Sequence, residues 1–270
     1  MWYPFSHMSI TKKQWLAGGI GFIIAVSIGI LKYEQVKTPA IPGTGDTTAT
    51  TTLPITAATS TTSASAYTGP FPINAADAIV LGSFKGAYVG NEALTAQANA
   101  DIAHLNGLMG KGQYDDYDLY NGLANDYSLL GDGKAAYQNY NRAIAIHPKK
   151  GLAYVNLAHL MDILGARYTA ADAYAKATTI EAGMLEYHIE RLDYLTRVFP
   201  TDNVRITAAL TAVSTQFGDT APILAIEAKW LTEQGRYADA VKAWETVKML
   251  SPGKDTTSID IEIARLRTKQ

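Results

Sequence analysis

Across 270 residues, 23 lysines and arginines nearly balance 25 aspartates and glutamates, leaving a formal net charge of −2. No basic run exceeds two residues, which argues against a nucleic-acid partner, since such surfaces carry a basic excess or stripe. The absence of cysteine excludes disulfide staples, thiolate zinc sites and a thiol nucleophile, and is compatible with work outside a reducing compartment.

After a short tail (1–13), the segment from Trp15 to Leu31 runs seventeen residues without a charge. At about 1.5 Å per residue that helix crosses a thin hydrocarbon core, and residues 14–33 are expected to form a single transmembrane helix. Lys12 and Lys13 bound it on one side and Lys32 on the other, with Trp15 and Tyr33 at the interfacial levels. A cleaved signal peptide would need small residues after the apolar core, where the chain instead reads LKYEQVKTP. A buried soluble helix would need some polar face, which is absent over five turns. Both flanks are similarly basic, so orientation rests on the next segment more than on charge. Ala17, Gly21, Ala25 and Gly29 line one face with small residues, a spacing that permits homo-oligomerisation through this helix.

The linker expected at residues 34–70 is, from Thr38 to Pro70, almost wholly Thr, Ser, Ala, Pro and Gly. So little apolar surface cannot offset the entropy of ordering, and a disordered tether is expected. A coil of about 33 residues has an end-to-end distance near ~30 Å, and its plain role is that of a spacer. Such tracts hold domains away from a membrane or through a cell envelope, which favours an extracytoplasmic position for the carboxyl-terminal domain. Residues 71–113 are then expected to cap the repeats. Leu94, Ala98, Ile102, Leu105 and Leu108 make an amphipathic helix over residues 92–109. Ala78, Gly82, Gly86 and Gly90 would form a small-residue face if helical, but glycine disfavours a helix, leaving an irregular segment lying on the repeats as an equal alternative.

From Tyr114 onward the chain repeats itself. Residues 117–150 and 151–184 align at an offset of 34 with nine identities. Tyr120, Leu123, Ala124, Leu130 and Gly131 match Tyr154, Leu157, Ala158, Leu164 and Gly165. Ala136, Tyr140, Ala143 and Ile146 match Ala170, Tyr174, Ala177 and Ile180. A fixed period of this length marks a helix–turn–helix repeat. Tyr120, Leu123, Ala124 and Tyr127 form the apolar stripe of a first helix, Gly131 ends it, and Ala136, Tyr140 and Ala143 form the stripe of a second. Pro148 then breaks the chain. In 221–253, Gly235, Ala240, Trp244, Leu250 and Pro252 all lie 104 residues after their counterparts in the first unit, which is three periods plus two residues. A divergent unit therefore occupies 185–220, with Leu185, Ile189, Leu192 and Leu195 as its stripe and Thr201 or Asp202 as a cap. Ile259, Ile263 and Leu266 make 254–270 a closing helix.

The order of bulky aromatic, Leu–small pair, aromatic, Gly, Ala, aromatic, Ala, Pro resembles the tetratricopeptide repeat family across residues 117–270, most closely in three of four units. The resemblance implies an all-α solenoid whose first helices line a concave groove that holds a protein or peptide ligand. The groove residues it implies are Asp118, Asn121, Asn125, Ser128, Leu152, Val155, His159 and Asp162. Some members of that family clamp an acidic carboxyl-terminal peptide with cations. Here Asn125 and Asn156 stand where the clamp has asparagines, but Asn121 replaces its lysine, so that ligand is not expected.

Chemistry is not legible beside the repeat. His7, His104, His147, His159 and His188 form no H-x-x-x-H pair, so no metal site is expected, and no glycine motif indicates a nucleotide cofactor. The acidic run at 114–118 reads as favourable charge at a helix start. The expectation is a non-enzymatic membrane-anchored scaffold in an extracytoplasmic complex. A carbohydrate- or wall-binding module, suggested by sixteen tyrosines and the tether, is the alternative. A cytoplasmic-facing adaptor and an enzyme stand behind it.

Overall fold

Glycine and aspartate punctuate the hairpins of the computed structural model, which describes residues 69–79 and 81–270. The expected transmembrane helix (14–33) and most of the expected tether (34–70) lie outside the described residues. Among the described residues, no helix is long and apolar enough to cross a membrane. Ten helices are described: α1 (Glu92–Leu108), α2 (Asp116–Leu130), α3 (Gly133–Ile146), α4 (Leu152–Ile163), α5 (Arg167–Ile180), α6 (Leu185–Val198), α7 (Asn203–Phe217), α8 (Ala221–Glu233), α9 (Tyr237–Met249) and α10 (Thr257–Arg267). The all-α helix–turn–helix solenoid expected from the period is present. The pairs α2–α3, α4–α5, α6–α7 and α8–α9 are its hairpins, with α1 packed on α2 and α10 on α9.

Local chemistry sets the hairpin ends. Asp115 accepts a hydrogen bond from the Tyr117 N–H at 3.0 Å and Asp132 one from the Ala135 N–H at 2.9 Å, capping α2 and α3. Between them Gly131 takes φ +82°, a conformation disfavoured for residues bearing a Cβ, and Gly165 and Gly235 do the same in the second and fourth units. Ala136, Ala143, Ala170 and Ala177 are fully buried, which brings the helices close enough for Tyr140 and Tyr174 to fill the remaining core. The tyrosine hydroxyls are satisfied across the units. Tyr117 OH accepts from the Ala153 N–H (3.1 Å), and Tyr194 OH donates to the Arg167 carbonyl (2.8 Å).

Successive first helices meet directly where α2 touches α4 and α6 touches α8, whereas α3 and α5 do not pack on one another. The stack therefore curves with the first helices inside, and the second helices splay apart outside. The gap between α3 and α5 is filled by a strap, residues 69–79 and 81–90, which is extended or turned rather than helical. Asn141 Oδ1 accepts from the Phe71 N–H (2.8 Å), and Tyr137 OH donates to the Phe71 carbonyl (2.8 Å). Farther along, the Asn74 N–H donates to Thr169 Oγ1 at 2.9 Å. Asp77 accepts from the Tyr168 and Thr169 N–H groups at 3.1 and 2.6 Å. The helix α5 has no capping side chain of its own, so its N-terminal N–H groups are satisfied by a carboxylate about ninety residues away in sequence. The strap then returns to the first unit, where the Phe84 N–H donates to the Gly131 carbonyl at 2.9 Å.

The third unit departs from this pattern. Arg191 stands 34 residues after Leu157, in the place of the core leucine, and Phe199–Pro200 stand at the glycine turn. The turn is longer, with Asp202 capping α7 through the Arg205 N–H (3.0 Å). The helix α8 docks on α6 instead of closing over α7. The outer face of α7 is left bare, with Val204 84% exposed above a shallow depression shared with Ala208, Thr211 and Ala212.

Candidate functional site

The inner face of the stack is built from the residues on α2 and α4 that the resemblance singles out, joined by their counterparts on α6 and α8. Asp118 is half-buried near the start of α2. Asn121 is 5% exposed, its Nδ2 donates to the Tyr117 carbonyl at 2.9 Å, and its Oδ1 has no hydrogen-bond partner among the described residues. Asn125 accepts from Tyr140 OH at 2.5 Å. Ser128 is half-buried, and its carbonyl accepts from the Gly131 N–H at 3.0 Å, closing α2. On α4, Leu152 is half-buried while Val155 is buried. Asn121 and Val155 therefore belong to the floor of the face, whereas Asp118 and Leu152 stand at its surface.

His159 and Asp162 are committed to the next helix. His159 Nε2 lies 2.8 Å from Glu190 Oε2, and its Nδ1 lies 3.3 Å from Tyr174 OH. Asp162 Oδ2 accepts from Arg197 Nη2 at 2.5 Å. These two bridges tie α4 to α6 across the inner seam. The Tyr174–His159 contact repeats Tyr140–Asn125 one period later, so one architectural bond recurs with different chemistry. Continuing the period places Glu186, Ile189, Asp193 and Thr196 on α6, then Pro222, Ala225, Lys229 and Thr232 on α8. Glu190 and Arg197 escaped the sequence reading because the third unit lacks the glycine and alanine signature, although the offset of 34 carries straight through α6.

Asp115, Asp126 and Arg191 lie at packing seams of the stack. Asp115 caps α2 and also meets His147 Nε2 (3.0 Å) and Lys150 Nζ (2.9 Å). Burial alone would raise its carboxyl, but Lys150, the Tyr117 N–H and His147 hold it below its ordinary range. At the α1–α2 seam, burial and the neighbouring Asp101 push the Asp126 carboxyl up to about 7. Tyr88 of the strap is raised by burial and by the same two aspartates. Arg191 donates to Thr178 Oγ1 at 3.1 Å while its buried Nε has no partner among the described residues. Burial, with Arg205 nearby, lowers its pKa. Among the described residues no group of His, Asp or Glu is arranged to hold a metal ion.

No family model matches the sequence, and no curated protein matches it. Among solved structures the chain is similar to the APC/C hetero-tetramer Cut9–Hcn1, with 13% identity and a TM-score of 0.45, over 65% of this chain and 34% of that one. The chain thus spans about a third of that protein's length. It is also similar to the MamA protein, with 13% identity and a TM-score of 0.44, over 57% of this chain and 89% of that one. A thermophilic TPR protein of Thermus thermophilus shows 16% identity and a TM-score of 0.44, over 64% of this chain and 92% of that one. The hairpin architecture stands on the 34-residue period and the helix packing, independently of these likenesses.

Proposed function

We propose that this chain is a non-enzymatic scaffold that holds a protein or peptide on the inner face of α2, α4, α6 and α8. One observation carries this reading: the chain's own strap covers the outer side of the hairpins through Tyr137, Asn141 and Thr169, while Asp118, Leu152, Glu186 and Asp193 on the inner side retain solvent exposure. A stacked array of helix pairs presents such a face as an extended surface, suited to a segment of chain and not to a small enclosed ligand. The apolar stretch at 14–33 supports anchoring to a membrane, its small-residue face supports self-association there, and the Thr/Ser-rich tether supports an extracytoplasmic position. The carbohydrate reading loses support, because seven of the sixteen tyrosines are buried in the core.

The test is crosslinking in native membranes from a photoreactive residue at Leu152, with identification of the captured protein, together with protease accessibility of residues 34–70. Capture of a defined protein, and tether cleavage from the outer side only, is the expected result. Crosslinks to lipid or to nothing would sink the scaffold reading. Cleavage from the inner side would reverse the topology and make the chain a cytoplasmic-facing adaptor.

A further inference from the structure

We infer that the segment held on the inner face is basic, a stretch of partner chain carrying several lysine or arginine side chains; this rests on the reading of that face as the binding surface. Charge is segregated between the two helices of the hairpins. The first helices α2, α4, α6 and α8 carry nine aspartates and glutamates against three lysines and arginines, while the second helices α3, α5, α7 and α9 carry three against seven. Counted by helix, the first helices are thus net acidic and the second net basic, although the whole chain is near neutral. Asp126, at the α1–α2 seam, and the paired Asp162 and Glu190 do not add to the free charge of the inner face.

The inner cations are also partly spent. Arg197 is paired with Asp162, Arg191 is turned into the core against Thr178, and His159 is held by Glu190. Lys229 is the remaining cation of the first helices. Asp118, Glu186 and Asp193 have no lysine or arginine within ion-pair distance among the described residues. Asp118 and Glu186 occupy the same position of the period two units apart, and Asp193 lies seven residues after Glu186 on the same stripe of α6. A concave surface lined with one sign of charge concentrates field and favours ligands of the opposite sign.

A second, independent feature points the same way. The Asn121 side chain is 95% buried on this same helix face, between Asp118 and Asn125, and its Oδ1 is an acceptor without a donor. An orphan acceptor at that depth costs free energy unless an N–H reaches it, and lysine, arginine and backbone amides are donors only. Carboxylates at the rim and an empty acceptor in the floor thus ask for the same thing, a donor-rich cationic chain. An acidic segment would meet repulsion at Asp118, Glu186 and Asp193 and bring no donor for Asn121 from its side chains.

The experiment uses the full chain and three pools of short photo-crosslinkable peptides of equal length: lysine/arginine-rich, uncharged and aspartate/glutamate-rich, at about 0.15 M salt to screen weak contacts. The basic pool is expected to bind, to crosslink to α2, α4 and α6, and to lose about tenfold in affinity in the triple variant Asp118→Asn, Glu186→Gln, Asp193→Asn. A matched variant with the same charge change elsewhere, Asp239→Asn, Glu245→Gln, Glu262→Gln, is expected to bind as the parent does. If the uncharged or acidic pool crosslinks to the same helices equally well, the inner face stands as a binding surface and the basic partner falls. Equal loss in both triple variants also overturns the basic partner, reducing it to a net-charge effect. Crosslinks confined to α3, α5 or α7, or no binding by any pool, overturn both readings.

Discussion

The second and third units share a period, a hairpin and an inner face, yet they solve the packing problem differently. In the second, Leu157 and Ala170 are fully buried, α6 closes against α5, and the strap covers the outside. In the third, Arg191 takes the leucine's place, Ile206 takes the deep position of the second helix, and α7 is left with neither strap nor α8 upon it. Repeat length alone therefore makes a hairpin. Where Phe199–Pro200 replace the glycine turn and Arg191 the core leucine, the next hairpin docks on the first helix instead of closing over the second.

Substitutions that push each unit toward the other sharpen that contrast. Ile206→Ala should cost about 3 kcal/mol in denaturant unfolding of the full chain, since a fully buried side chain leaves a cavity that α6 alone cannot fill. The reciprocal Ala170→Ile should cost about 2 kcal/mol by overpacking a site with no spare volume. A finding that both are neutral would mean that the two units do not differ in packing at all. Asp77→Ala should destabilise the second unit by about 1–2 kcal/mol, because two N–H groups of α5 lose their acceptor. Hydrogen exchange should then rise at Tyr168 and Thr169 while α7 is unaffected.

Asp126→Asn tests the first seam. A carboxyl raised to about 7 in the folded state binds its proton more tightly than in the unfolded chain, where the pKa is near ~3.9. Stability should therefore fall as pH rises from about 4 to about 7 and level off above it. The asparagine variant should flatten that decline and be more stable by about 1 kcal/mol at alkaline pH. A parent curve with no slope in this window would contradict it. Smallest of all, Arg191→Leu should stabilise by less than about 1 kcal/mol, by restoring the residue type of the first two units and removing a buried Nε without an acceptor. Thermal melts at matched salt would show it.

Much of the fold was legible because it is periodic. Gly131, Gly165 and Gly235 mark turns in the sequence and are found at turns, and the matched Leu123, Ala124, Ala136, Tyr140 and Ala143 are buried as helical spacing requires, whereas the matched Ile146 is exposed. The strap was not legible as such. Its bonds to α3 and α5 join residues 66 to 98 positions apart and depend on no periodic pattern, only on where α3 and α5 leave a gap. The inner face was legible as a set of positions but not as chemistry. Nothing in the spacing tells that Val155 and Asn121 sink into the floor, or that Glu190 and Arg197 reach across from α6 to occupy His159 and Asp162.

The strap also fixes how a pull on the chain is received. Any tension arriving from the residues before position 69 is met first at Phe71 by α3, then at Asn74 and Asp77 by α5, and only afterwards at the Gly131 turn of the first unit. The load enters through two neighbouring hairpins at once and bypasses α1, the least buried of the early helices. A pull received in this way is shared between neighbouring hairpins, because the first bonds it loads are those that staple one unit to the next.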